Sequence, residues 1–131
     1  MSVITHLLRL CQEQQVKHIG IAPGSRSSQL VHALLEASFA KITTHIDERS
    51  LAFWALGIAK ASGRPAVICC SSGTAVANLL PAVVEAAESE TPMIILTADR
   101  SLNEKGCASN QTIQSQELPC DYLSAFLELD V

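Results

Sequence analysis

The amino-acid sequence predicts one α/β domain: a doubly wound, mostly parallel sheet with helices on both faces. Segments of helical apolar spacing alternate with short strand-like runs, and those runs are apolar throughout, as in strands covered on both sides. The 131 residues, 48% of them hydrophobic, are enough for one packed core, and no linker, repeat or low-complexity tract divides them.

Ser2 can cap a first helix whose apolar face is Ile4, Leu7, Leu8 and Cys11, and the polar stretch Gln12 to Gln15 ends it. "VKHIGIA" (16–22) follows as a strand and "PGSRSS" (23–28) as a turn. Leu30, Val31, Leu34 and Leu35 then mark a second helix. "KITTHI" (41–46) reads as the second strand, and Ser50 to Ala61 as a helix stopped at Ser62 and Gly63. "PAVICC" (65–70) is a buried third strand. "SSGT" (71–74) turns the chain into "AVANLLPAVVEAAE" (75–88), one helix that Pro81 is expected to bend or break. "PMIILTA" (92–98) is the fourth strand. From residue 101 the pattern weakens into a polar, turn-rich tract, and "YLSAFLELDV" (122–131) reads as one more helix or strand.

A net charge of −4 offers no broad cationic surface, so a nucleic-acid or anionic-membrane partner has no support in the composition, and any anion site must be local. No apolar run reaches the roughly 18 residues that span a bilayer. The N-terminus is broken by His6, Arg9 and Gln12, unlike a signal-peptide core, so a cytoplasmic location is expected. Five cysteines (Cys11, Cys69, Cys70, Cys107 and Cys120) are an odd number without C-x-x-C spacing, which argues against a disulfide framework and a zinc site. Buried free thiols are expected, and no metal ligand is assigned.

In open parallel sheets, ligands bind beyond the carboxyl ends of the strands. The polar residues of this chain collect there: Pro23-Gly24-Ser25-Arg26-Ser27 after the first strand, Asp47-Glu48-Arg49 after the second, Ser71-Ser72-Gly73-Thr74 after the third, and Asp99-Arg100 after the fourth. The first turn joins a glycine, capping hydroxyls and an arginine fork, which suits an anion grip or an ordinary capped turn. Thr74 can cap the next helix, and Asp99 and Arg100 can pair with each other. Neither glycine turn is a phosphate loop of the G-x-x-x-x-G-K type. A helix N-terminus favours the charged form of Glu48, whereas burial against Ile46, Phe53 and Trp54 would favour the protonated one. Such opposed influences suit a proton-sharing group; the plainer alternative is that Asp47 and Glu48 cap the helix.

With those residues placed, "PGSRSSQL", "HIDERSLAFWALGIAKASGRPAVI", "SSGTAVANLLPAVVEA", "LTADR" and "ASNQTI" occur in the order found in the N-terminal, pyrimidine-binding domain of thiamin-diphosphate-dependent enzymes. That domain is flavodoxin-like. Within the superfamily, residues 16 to 116 most resemble the 2-succinyl-5-enolpyruvyl-6-hydroxy-3-cyclohexene-1-carboxylate synthases of menaquinone biosynthesis. The resemblance implies that Glu48 is the cofactor-activating glutamate, bonded to the aminopyrimidine ring and promoting its imino tautomer. It implies that Ser72, Gly73 and Thr74 lie near that ring. Ser25, Arg26 and Arg100 would hold substrate carboxylates, and Asn110 and Gln111 would add hydrogen bonds. The implied chemistry is decarboxylation of 2-oxoglutarate on thiamin diphosphate and addition of the product to isochorismate.

The family's usual A-D-R-P reads Ala98-Asp99-Arg100-Ser101 here, and the match after "NQT" is poor. The family's "GDG…N" motif, which holds Mg2+ and the cofactor diphosphate in a C-terminal domain, does not occur. Residues 1–131 are therefore expected to be a single N-terminal domain, a fragment of a longer three-domain enzyme and inactive alone. In the family the active site is shared between subunits, so a homo-oligomer is expected, with Phe53 and Trp54 on the exposed partner surface. Two alternatives stand beside this reading: a domain of an acetohydroxyacid synthase or 2-oxo acid decarboxylase, and a flavodoxin-like binding module without catalysis.

Overall fold

Four parallel strands form the sheet: β1 (His18–Ile21), β2 (Lys41–Thr44), β3 (Ala66–Cys70) and β4 (Met93–Thr97), in the order β2-β1-β3-β4. These elements come from a computed structural model that describes residues 3–113 and 120–129, apart from the Leu102 and Cys120 side chains. In register, Ile19 lies opposite both Ile42 and Val67, and Ile68 opposite Ile95. The helices are α1 (Val3–Glu13), α2 (Ser28–Ala37), α3 (Glu48–Ser62), α4 (Thr74–Ala77) and α5 (Leu80–Glu88). Helices and parallel strands alternate as the sequence predicts.

Side chains alternate across a strand, so β3 and β4 each feed two cores. On one face, Cys11 of α1 and Leu34 of α2 pack on Ile19, Ile21, Val67 and Cys69. On the other, Leu51 and Ala55 of α3, Val76 of α4 and Val83 of α5 pack on Ala22, Ala66, Ile68 and Cys70. All five residues of β3 are buried, which is why that run is apolar throughout. Helix α3 comes close because it turns small residues inward: Ala52, Ala55 and Ala59 are fully buried. At Gly20 the approach is closer still, since a Cβ there would run into Leu51 and come within 2.8 Å of Trp54 Cζ3.

Several expectations change. α3 starts at Glu48 rather than Ser50, because Asp47 is its N-cap and accepts the Ser50 N–H at 2.7 Å. Its end is as expected, with Gly63 at φ 66° donating to the Ala59 carbonyl. The single helix expected over 75–88 is two, separated at Asn78 and Leu79. Pro81 sits in the first turn of α5, where its missing N–H costs nothing, so it breaks the helix rather than bending it. Thr74 is not a cap, because Gly73 holds that position. Leu35 is 52% exposed rather than on the core face. Among the described residues beyond β4 are two 3-10 turns, Leu102–Glu104 and Cys120–Tyr122. Residues 123–129 form neither the helix nor the strand expected there, although Leu123 packs beside the α3 core. The proposed Ser2 cap lies outside the described residues. Cys11, Cys69 and Cys70 are buried free thiols and Cys107 is an exposed one.

Candidate functional site

The chain leaves β1 for β2 on one side and returns past β1 to β3 on the other. At such a reversal the loops after the two strands part to opposite faces, leaving a crevice beyond their carboxyl ends. "PGSRS" and "SSGT" are those two loops. They touch closely at Gly24, where a Cβ would stand 2.5 Å from Ser71 Cβ.

Two arginines reach into this region and meet at one oxygen. Arg26, after β1, donates from Nη1 to Ser72 Oγ at 3.0 Å and from Nη2 to the Asn110 carbonyl at 3.4 Å. Arg100, after β4, donates from Nε and Nη2 to the same carbonyl at 3.0 and 2.7 Å. Ser72 Oγ in turn donates to the Gln111 carbonyl at 2.8 Å. Residues 101–113 are thereby folded back over the strand ends. Gly73 makes room for them: its φ is +65°, and a Cβ there would collide with the Gln111 carbonyl.

Of the two guanidiniums, only that of Arg100 has a carboxylate partner among the described residues. Glu104 accepts from Arg100 Nη1 at 2.5 Å and from Ser101 Oγ at 3.1 Å. The Arg100 guanidinium, followed by the Ser101 hydroxyl, holds the Glu104 carboxyl below its usual range. Asp99 is occupied elsewhere, accepting the Arg100 N–H at 2.7 Å and pairing with Lys105 at 2.6 Å, which raises the Lys105 ammonium. Among the described residues Arg26 faces a hydroxyl and a carbonyl and has no carboxylate partner. The cluster therefore carries one positive charge that no acid of its own compensates.

Glu48 forms a second centre. It opens α3, a 15-residue helix, and because Asp47 does the capping its carboxylate is not needed by the helix end. Glu48 Oε2 accepts from Asn78 Nδ2 at 3.3 Å. The group sits near the end of β3, since the Cys70 thiol, pushed up to about 12 chiefly by burial, is raised further by Cys69 and by the Glu48 charge. The expected apolar wall is not there: Ile46 is 92% exposed and Phe53 is 45% exposed. Trp54 turns inward instead, with its ring 5.2 Å from that of His45, so of the two aromatics expected on the outer face only Phe53 is there.

Arg26, Ser72, Gly73, Arg100, Asn110 and Gln111 are thus joined directly. Ser25 borders them, with its carbonyl accepting from Ser28 Oγ. Thr74 is exposed at the start of α4, and among the described residues no hydrogen bond ties Glu48 to the arginine cluster. Asn110 and Gln111, expected to add hydrogen bonds, make theirs here through backbone carbonyls. Asn78 and Glu104 are additions that the sequence reading missed. Each carries a signal: Asn78 is a poor helix former three residues before a proline, and Ser101-Leu102-Asn103-Glu104 fits the S-x-x-E capping pattern.

Polar loops gathered at a strand-order reversal stand where open parallel α/β sheets bind small molecules or cofactors. The family model for the thiamine pyrophosphate enzyme, N-terminal TPP binding domain, matches residues 1–124, and the chain belongs to that family. Thiamine pyrophosphate, or thiamin diphosphate, is the cofactor of that family. The chain is 50% identical over 113 residues to a 2-succinyl-5-enolpyruvyl-6-hydroxy-3-cyclohexene-1-carboxylate synthase of Prochlorococcus marinus, covering 84% of this chain and 20% of the relative. It is 48% identical over 114 residues to the synthase of Aliivibrio fischeri, and 46% over 130 residues to that of a Synechococcus species, covering 87% and 97% of this chain. The chain spans about a fifth of the length of these relatives (20% and 22% of the latter two). Among the described residues no helix is long and apolar enough to cross a membrane.

Proposed function

We propose that this chain is the pyrimidine-binding part of a 2-succinyl-5-enolpyruvyl-6-hydroxy-3-cyclohexene-1-carboxylate synthase, joining 2-oxoglutarate to isochorismate with loss of CO2. The observation that carries the reading is the convergence of Arg26 and Arg100 on the Asn110 carbonyl, with a carboxylate, Glu104, on Arg100 alone. Substrates bearing carboxylates are what such a cluster would hold, because a guanidinium fork matches a carboxylate in charge and shape. Ser25 borders the same loop, and Asn110 and Gln111 supply polar groups from the fold-back segment.

The cofactor fits the second centre. Glu48 is a carboxylate spared from capping, with one amide partner, at the positive end of a helix. In this reading it shares a proton with a ring nitrogen of the aminopyrimidine, and Ser72, Gly73 and Thr74 border that ring. Thiamin diphosphate, when bound, supplies the electron sink for loss of CO2 from a 2-oxo acid. Its diphosphate and Mg2+ fall to the part of the enzyme that this chain does not span. Arg100 must exchange Glu104 for a substrate carboxylate, so substrate entry goes with movement of residues 101–113. Ile46 and Phe53, exposed beside Glu48, suit a surface that meets another subunit of a homo-oligomer in the cytoplasm.

Glu48→Gln, in a protein carrying this chain together with its diphosphate-binding part, is the test. It keeps the shape and removes the shared proton. Turnover with 2-oxoglutarate should fall about 10²- to 10⁴-fold while circular dichroism stays unchanged. Near-normal turnover would overturn the assignment.

A further inference from the structure

The break between α4 and α5 fixes Asn78 from both sides. Asn78 is the C-cap of α4, its N–H bonded to the Thr74 carbonyl at 3.0 Å. The next residue, Leu79, is fully buried in the α3 core. Pro81 then commits the chain to the first turn of α5. With its backbone held this way, Asn78 extends its amide to Glu48 Oε2 across 3.3 Å, joining residues 30 apart in the chain.

The chemistry of this contact is asymmetric. An amide NH2 only donates, and the unprotonated oxygen of a carboxyl is the better acceptor for it. Oε2 is thereby favoured as the acceptor, which leaves Oε1 as the oxygen free to carry a proton. Among the described residues no hydrogen bond to Oε1 competes for that place. We propose that Asn78 is a positioning residue for Glu48: it pins Oε2 and presents Oε1 as the one oxygen that exchanges a proton with the aminopyrimidine of thiamin diphosphate. The proposal rests on the reading of Glu48 as the proton-sharing group.

Asn78→Ala and Asn78→Asp, in a protein that also carries the diphosphate-binding part, test it. In the cofactor-free protein, the 13C resonance of the Glu48 carboxyl carbon should move in both variants, because each loses the amide donor. With cofactor and saturating 2-oxo acid, kcat should fall about 10- to 100-fold, the scale of a misplaced reacting group, while KM stays within about twofold. The acid limb of the kcat profile should move to higher pH in Asn78→Asp, where a second carboxylate faces the first. A merely structural role at the end of α4 would lower the melting temperature and leave the carboxyl resonance and the pH profile in place. That result in Asn78→Ala overturns the proposal even if Asn78→Asp fails to fold. If Glu48→Gln keeps its activity, the parent reading falls instead; if Glu48→Gln is inactive and both Asn78 variants behave as wild type, only this inference falls.

Discussion

Glu104 and Lys105 are neighbours whose titrations move in opposite directions. Glu104 is depressed by Arg100, so its contribution to the fold-back segment is complete above the ordinary glutamate range and is lost as pH falls through the depressed value. Lys105 is raised by Asp99, so that contact is complete below the ordinary lysine range and is lost only as pH climbs through the raised value. Amide resonances of residues 101–112 should therefore hold steady across neutral pH and move together only in acid below the usual glutamate range. Movement centred on an ordinary glutamate titration would contradict the Arg100 contact. At this scale the sequence was partly readable. Arg26, Ser72 and Arg100 were identifiable because they stand at strand ends, where polar residues have few structural duties. The oxygen they meet was not identifiable, because a backbone carbonyl carries no signature in the residue type.

Elements were legible wherever periodicity carries them. β3 and α3 could be placed within two residues, since one is buried on both faces and the other turns a stripe of alanines to the sheet. The α4–α5 break was blurred because both helices are apolar and a proline suits either a kink or a first turn. The segment after β4 was illegible for another reason: it is held by side chains bonding backbone carbonyls, which leave no apolar repeat. Gly73 is its seat. Gly73→Ala sets a side chain in the left-handed region and against the Gln111 carbonyl, so it should cost about 1–3 kcal/mol and release residues 101–113 from the strand ends. Thermal melting would read the first effect, and faster tryptic cleavage after Lys105 the second. A variant with wild-type melting and cleavage would show that this contact does not seat the segment.

Over the whole molecule, the two cores are filled while part of the outer face is not. Ile46 and Phe53 near Glu48, and Leu127 and Leu129 near the end of the described chain, are exposed apolar side chains. Isolated residues 1–131 should self-associate as concentration rises, which sedimentation velocity would detect; a monomeric mass at high concentration would count against a partner surface here. The sequence predicted the architecture because each strand and helix declares its own burial, whereas a meeting of distant loops is declared by none of them. The bonds at the arginine cluster span long stretches of chain: Arg26 to Ser72 joins residues 46 apart, and Arg26 to Asn110 joins residues 84 apart. Contacts of such separation are slow to close, because the loop entropy must be lost before any bond repays it. A folding chain that has paired β1 with β2 and seated α1 on α2 possesses Arg26 but none of its partners. The arginine cluster can therefore form only once β3 and the segment after β4 are in place, so its closure is expected late in assembly rather than early.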